Sequence, residues 1–249
     1  MADENKLRQM LASGRTALGC IHLLPSADVT ELLALSGFDY IFIDHEHGPA
    51  GLGELSDQLR AAKAGGAAAL VRMPSLDPHH ARRLLDSGVE VIYCPMIESA
   101  DQAEAFVKAC RYPPDGERGA GGGTRAAHLG LGPDQGDRIA DRVMLIIAIE
   151  TLQAVRNLRE IAAVPGIDAI FIGARDLSAS MGRLGQFQDA ELLGAVAECE
   201  AIIKASGKYM GAPVYPGLTI AQMVGKGYAM LLTGIDTLFL TSAARASLI

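Results

Sequence analysis

GFDYIFIDHEHGP occupies residues 37–49. Its apolar run, residues 38–43, has the length and the β-branched and aromatic content of a buried strand. The run ends in Asp44, His45, Glu46 and His47, and Gly48 and Pro49 close it. A strand apolar on both faces belongs in a parallel sheet covered by helices. Its charged end needs a place where ions stay near water. Both demands are met where a barrel strand runs into the loop that follows it.

The same pattern repeats in both directions. Apolar runs at 17–24, 67–71, 89–96, 143–149, 168–172, 209–215 and 229–232 read as seven further strands. Amphipathic stretches at 30–36, 55–63, 79–86, 100–110, 152–163, 190–205, 220–226 and 236–248 read as helices. Eight strand–helix units in 249 residues predict a single (β/α)8 TIM barrel, one domain over 1–249, in preference to an open doubly wound sheet. Apolar residues at 49% supply a large core, and 28 glycines suit many tight junctions. The connection 111–142 is too long for an ordinary junction and reads as an active-site wall or a subunit contact. Its glycines do not open a helix after a strand, which argues against a nucleotide loop.

A net charge of −7 with no Lys/Arg run argues against nucleic acid and anionic membranes as partners. The first residues lack the apolar core of a signal peptide, and the run 143–149 is too short to span a bilayer. The four cysteines form no CxxC pair and read as reduced, buried thiols of a cytoplasmic protein.

Several strands end in polar residues: Asp44 to His47, Arg72, Glu150 and Asp176. A packed interior has no use for unpaired ions, so gathered at one mouth they make a site. Glu150 and Asp176 close successive strands 26 residues apart, one βαβ unit. Two such carboxylates suit a hard divalent cation with water completing its shell; alternatively each caps the helix after it. The Arg72 fork fits a carboxylate through two parallel hydrogen bonds, or else makes a structural ion pair with a nearby acid. His47 suits a general base, or a structural role. The HxH of His45 and His47 also fits a zinc amidohydrolase, but none of the six histidines follows residue 128 to complete that ligand set. His79 and His80, after Asp77 and Pro78 at a helix start, read as surface residues.

Longer segments carry more information than these single residues. GFDYIFIDHEHGP (37–49), LVRMP (70–74), LLDSGVEVIYCPMIESADQAEAFVKACRYPPDGERG (84–119), IAIET (147–151), PGIDAIFIGARDLSASMG (165–182) and GIDTLFL (234–240) occur in order. Together they resemble the HpcH/HpaI family of class II pyruvate aldolases, from about Lys6 to the C-terminus. The resemblance implies reversible cleavage of 4-hydroxy-2-oxo acids to pyruvate and an aldehyde through a pyruvate enolate stabilised by Mg2+, Mn2+ or Co2+. It implies that Glu150 and Asp176 bind the metal and that Arg72 binds the substrate carboxylate. His47 is then the acid/base, paired with Asp86, and backbone near Gly173 and Ala174 lines the pyruvate site with Asp176. It also implies a homo-oligomer, a hexamer.

Asp86 precedes the fourth strand, so it belongs at the opposite end of the barrel from His47, and the pairing is expected between neighbouring subunits. The chain departs from the family pattern in three places. His45 stands where Gly is usual, Ala148 where Gln is usual, and Ala174-Arg175 replaces a Pro and a small residue in a GPADLS-type turn. Other readings share the barrel: a CoA-ester lyase, an oxaloacetate decarboxylase, or a catalytically silent barrel that binds 2-oxo acids.

Overall fold

The computed structural model describes residues 5–131 and 142–248. Eight parallel strands close into a barrel in sequence order. They are β1 (Ala17–His22), β2 (Tyr40–Asp44), β3 (Ala68–Arg72), β4 (Val91–Cys94), β5 (Met144–Ile149), β6 (Ala169–Ile172), β7 (Tyr209–Pro213) and β8 (Met230–Ile235). β1 pairs with both β2 and β8, which removes both sheet edges. All eight strands expected from the sequence are present, with ends shifted by up to three residues.

The helices are α1 (Lys6–Ala12), α2 (Ala27–Leu35), α3 (Leu52–Ala64), α4 (Pro78–Asp86), α5 (Ala100–Cys110), α6 (Leu152–Ala163), α7 (Ala174–Ser180), α8 (Ala190–Ser206), α9 (Ile220–Gly225) and α10 (Asp236–Ala246), with a 3-10 turn at His128–Gly130. α1 and α7 are additions to the sequence reading. α1 is short and plugs the barrel: Leu7 and Leu11 join the interior cluster. The Asn5 Nδ2 amide donates to the carbonyls of Glu90 and Arg142 at 2.9 and 3.0 Å, just before β4 and β5.

Strand alternation separates two apolar layers. Tyr40, Phe42, Leu70, Tyr93, Ile146 and Phe171 fill the barrel interior. Ile41, Ile43, Val71, Ile92, Ile147 and Ile170 face the helices. Phe42, Tyr93 and Phe171 meet edge to face at centroid distances of 5.1 and 5.4 Å. This aromatic layer is the floor on which the polar strand ends sit.

The seam between β8 and β1 is pinned by a buried network. Asp236 Oδ2 accepts from His22 Nδ1 at 2.8 Å and from the amides of Leu23 and Leu24 at 3.0 and 2.9 Å. His22 Nε2 meets Thr30 Oγ1 of α2 at 2.9 Å.

The described part of the 111–142 connection corrects one expectation. It leaves α5 and leads to β5, so it lies at the N-terminal rim of its own barrel and walls no part of its own mouth. Its amides at Glu117 and Arg118 donate to the carbonyls of Lys108 and Arg111, and that of Ala126 to the Asp86 carbonyl. Residues 132–141 of that segment lie outside the described residues.

Candidate active site

The polar strand ends continue the inward parity. Asp44 follows Tyr40 and Phe42, Arg72 follows Leu70, and Glu150 follows Ile146 and Ala148. They form the top layer of the barrel interior, above the aromatic floor. Ala148, where a polar residue is usual, is fully buried in that interior cluster.

Asp44 and Arg72 stand opposite each other in the β2–β3 register. Arg72 Nε donates to Asp44 Oδ1 at 2.9 Å and Nη2 donates to Oδ2 at 2.5 Å. Nη1 faces Glu46 Oε2 at 3.0 Å, and the guanidinium lies 5.3 Å from the Phe42 ring centre. The ion pair expected as an alternative role for Arg72 is therefore present. The Nε–Nη2 fork is spent on Asp44, and an incoming carboxylate finds only the Nη1 side, after displacing Glu46. Burial alone would raise the Asp44 carboxyl. The Arg72 hydrogen bonds and charge, with the amides of His47 and Glu46, hold it below the ordinary carboxylate range. Burial raises Glu46 against the pull of Arg72 and His47.

Glu150 is 4% exposed. Its Oε2 accepts from the Met96 amide at 3.0 Å. Met96 sits at φ 55, a left-handed conformation uncommon for a residue with a side chain, and this turns its N–H toward the carboxylate. Burial pushes the Glu150 carboxyl up to about 7; the Met96 amide opposes this and repulsion from Asp176 adds to it. The helix-cap alternative fails for Glu150, because Thr151 caps α6 by accepting from the Ala154 amide. Asp176 lies in the first turn of α7, whose N-cap is Gly173, without a side-chain cap. A Cβ on Gly173 would come within 2.5 Å of Glu150 Cγ, so the absence of a side chain there is what lets Glu150 reach the mouth.

A buried carboxylate with one amide partner and a second carboxylate nearby is short of counter-charge, since Arg72, the cation acting on it, is already paired with Asp44. This fits a hard divalent cation held by Glu150 and Asp176, with the remaining positions open to water or substrate oxygens. No cluster of three or more His, Cys, Asp or Glu suited to a metal occurs among the described residues.

His47 is exposed at the same mouth, with Nε2 3.7 Å from Glu46 Oε2. Asp86, at the C-terminal end of α4, faces Arg118 Nη2 at 2.9 Å. His79 is exposed, as expected. His80 corrects the surface reading: it is half-buried, its Nε2 is buried without a partner, and its ring lies 6.2 Å from that of His45. The sequence reading missed Met96, the Arg72–Glu46 contact and the His45–His80 pair. The cysteines are free and buried, and burial pushes the thiols of Cys20, Cys110 and Cys199 up to about 12, so they are inert at neutral pH.

Fold and site define a barrel enzyme organised around a carboxylate pair and a buried arginine. The chain matches the family model for HpcH/HpaI aldolase/citrate lyase over residues 19–243. It is 36% identical to a hydroxypyruvate/pyruvate aldolase of Roseovarius nubinhibens, covering 99% of this chain and 96% of that one. It is also 36% identical to a 4-hydroxy-2-oxo-heptane-1,7-dioate aldolase of Escherichia coli, covering 98% and 93%. Among solved structures, a HpcH/HpaI aldolase/citrate lyase family protein of Burkholderia cenocepacia superposes with a TM-score of 0.93 at 33% identity, covering 98% of both chains. The chain belongs to the HpcH/HpaI aldolase/citrate lyase family and is an aldolase-type carbon–carbon lyase.

Proposed function

We propose that the protein reversibly cleaves 4-hydroxy-2-oxo acids to pyruvate and an aldehyde, using Mg2+, Mn2+ or Co2+ held by Glu150 and Asp176. The observation that carries this is the buried Glu150 carboxylate, short of a counter-charge beside Asp176 at the strand ends. When bound, the ion supplies Lewis-acid polarisation of the ketone, worth several kcal/mol of charge stabilisation. The chain does the rest. Arg72, locked by Asp44, offers its Nη1 side to the substrate carboxylate and fixes its orientation. Backbone at Gly173 and Ala174 lines the pyruvate position. His47 moves the proton at the aldehyde oxygen or the pyruvate methyl carbon, a contribution of about 10²–10⁴-fold. No lysine at a strand end is required, which separates this chemistry from Schiff-base catalysis. Arg175, exposed one residue before Asp176, favours an acidic aldehyde.

The test mixes the protein with pyruvate or hydroxypyruvate, a panel of acidic and neutral aldehydes, and each metal, with and without EDTA. Adduct that disappears with EDTA and returns with Mn2+ is expected. No adduct under any metal, together with intact pyruvate binding, would favour the silent barrel.

We assign Asp86 to the His47 of a neighbouring subunit in a cytoplasmic homo-oligomer, a hexamer. Asp86 lies at the far rim from its own His47. The exposed apolar side of α10 supports an oligomer: only Asp236 of that helix is buried, while Leu238 and Leu240 are 57% and 63% exposed, and α2 leaves Leu32 and Leu35 exposed at 64% and 69%. Mixing inactive Asp86→Asn chains with inactive His47→Asn chains should restore about a quarter of the sites, since random pairing reunites the two intact residues at that frequency. No recovery on mixing would place both residues' roles within one chain.

A further inference from the structure

We infer that His45 and His80 form a second cation site, for a borderline transition ion such as Zn2+, Ni2+ or Cu2+, distinct from the carboxylate pair at the mouth. Two elements bring the imidazoles together. His45 directly follows β2, and its backbone amide donates to the Arg72 carbonyl at 3.1 Å, so the sheet fixes its position. His80 lies in the first turn of α4, behind Pro78 and the Asp77 cap. His45 is only 7% exposed. Nε2 of each ring is buried with no hydrogen-bond partner. A buried polar nitrogen without a partner is rare and calls for a water or an ion; here two occur in neighbouring rings.

The ring separation suits a shared ion. Imidazoles bound through nitrogens about 2.1 Å from one ion hold their ring centres roughly 5–6.5 Å apart. The observed separation is 6.2 Å with the planes inclined at 63°. Burial favours the neutral form of both rings, and the charge of His80 further opposes protonation of His45, so lone pairs are on offer at neutral pH. The Glu54 carboxylate adds a negative charge near His45. No third protein donor completes a cluster among the described residues, so water fills the remaining positions and the site is weaker than a closed structural zinc site. Imidazole selects Zn2+, Ni2+ and Cu2+, whereas carboxylate oxygens suit Mg2+ and Mn2+. The two sites are therefore separable by metal. An ion here ties the loop carrying Glu46 and His47 to α4.

The test titrates tag-free protein with Zn2+ by calorimetry in excess Mg2+, and with Cu2+ by electron paramagnetic resonance. One saturable Zn2+ per chain and nitrogen splitting from two imidazoles are expected. His45→Ala and His80→Leu should each weaken Zn2+ binding by at least about tenfold. His79→Ala, His47→Ala and the Glu150→Ala/Asp176→Ala pair should keep it. Thermal melts confirm that each variant folds, and His45→Gly replaces His45→Ala if that one does not. Zn2+ binding unchanged in both the His45 and His80 variants, or absent from the wild type in excess Mg2+ (a bridging water only), overturns the inference. Neither readout needs turnover, so failure here leaves the aldolase reading untouched.

Discussion

Glu150→Gln is expected to lower aldol turnover by at least about 10³-fold and to abolish Mn2+ binding at the mouth, yet to make the metal-free protein more stable at pH 8. The activity loss follows from the ion's contribution of several kcal/mol, each 1.36 kcal/mol being about tenfold. The stability gain follows from linkage. Burial, offset in part by the Met96 amide and helped by Asp176, raises the Glu150 carboxyl from 4.5 to about 7 in the folded chain. Between those values the unfolded chain has lost its proton and the folded chain keeps it, so stability falls as pH rises from 4.5 toward 7 and stays low above. The full effect is at most about 3 kcal/mol. A neutral amide keeps an acceptor for the Met96 N–H and escapes the cost of a buried charge. Chemical denaturation of metal-free wild type and variant at pH 5 and pH 8 measures it: the two curves should separate only at the higher pH. Mn2+ should reverse the order by binding wild type alone. Its affinity should fall about tenfold per pH unit below 7, because the proton and the metal compete for one carboxylate. Equal Mn2+ affinity in both proteins would remove Glu150 from the metal site. The opposite signs of the two effects are what a site held in place at the expense of the fold should show.

The positions at the strand ends were legible because a charge that terminates a run of Val, Ile, Leu and Ala stands out in one dimension. Asp44, Arg72 and Glu150 directly follow apolar runs, and Asp176 comes four residues after one. Counting by twos from Phe42 and Leu70 even places Asp44 and Arg72 inside the barrel. Their bond to each other could not be read. It depends on the β2–β3 register, which pairs residues 28 apart. Met96 carried no polar signal at all, since its backbone rather than its side chain reaches Glu150. His80 looked like a surface residue because its neighbours Asp77, Pro78 and His79 are exposed; only the packing of α4 against the loop after β2 buries its Nε2. α7 escaped notice because its seven residues follow a strand end directly, where a turn is the simpler reading. The reading of 111–131 as a wall of its own mouth failed for another reason. A long glycine-rich stretch looks functional wherever it falls, but its place after a helix sends it to the barrel rim opposite the mouth.

Asp44→Ala should be the most damaging single change to the fold near the site, costing about 3–5 kcal/mol, because it strips a buried arginine of its partner. Arg72 is 11% exposed at its side chain and Asp44 only 1%, so water cannot replace the lost carboxylate. Two further donors lose their acceptor as well, since Asp44 Oδ1 also takes the amides of Glu46 and His47 at 3.0 and 3.2 Å. The loop that carries His47 would lose its anchor together with the arginine. Asp44→Asn separates charge from geometry. It keeps an acceptor oxygen but loses the ion pair, and should fall between wild type and Asp44→Ala. The pH dependence distinguishes them further. The Asp44 carboxyl is held below its ordinary value in the folded state, so its contribution is complete above the unfolded value of about 3.9 and is lost as pH falls through the depressed folded value. Wild type should converge on Asp44→Asn as urea melts are taken from pH 7 toward that acid range. In catalysis both variants should raise the KM for pyruvate more than they lower kcat, because a loosened Arg72 fails first at holding the carboxylate. A drop in kcat with KM unchanged would instead give Asp44 a direct part in proton transfer and leave the carboxylate to other donors at the mouth.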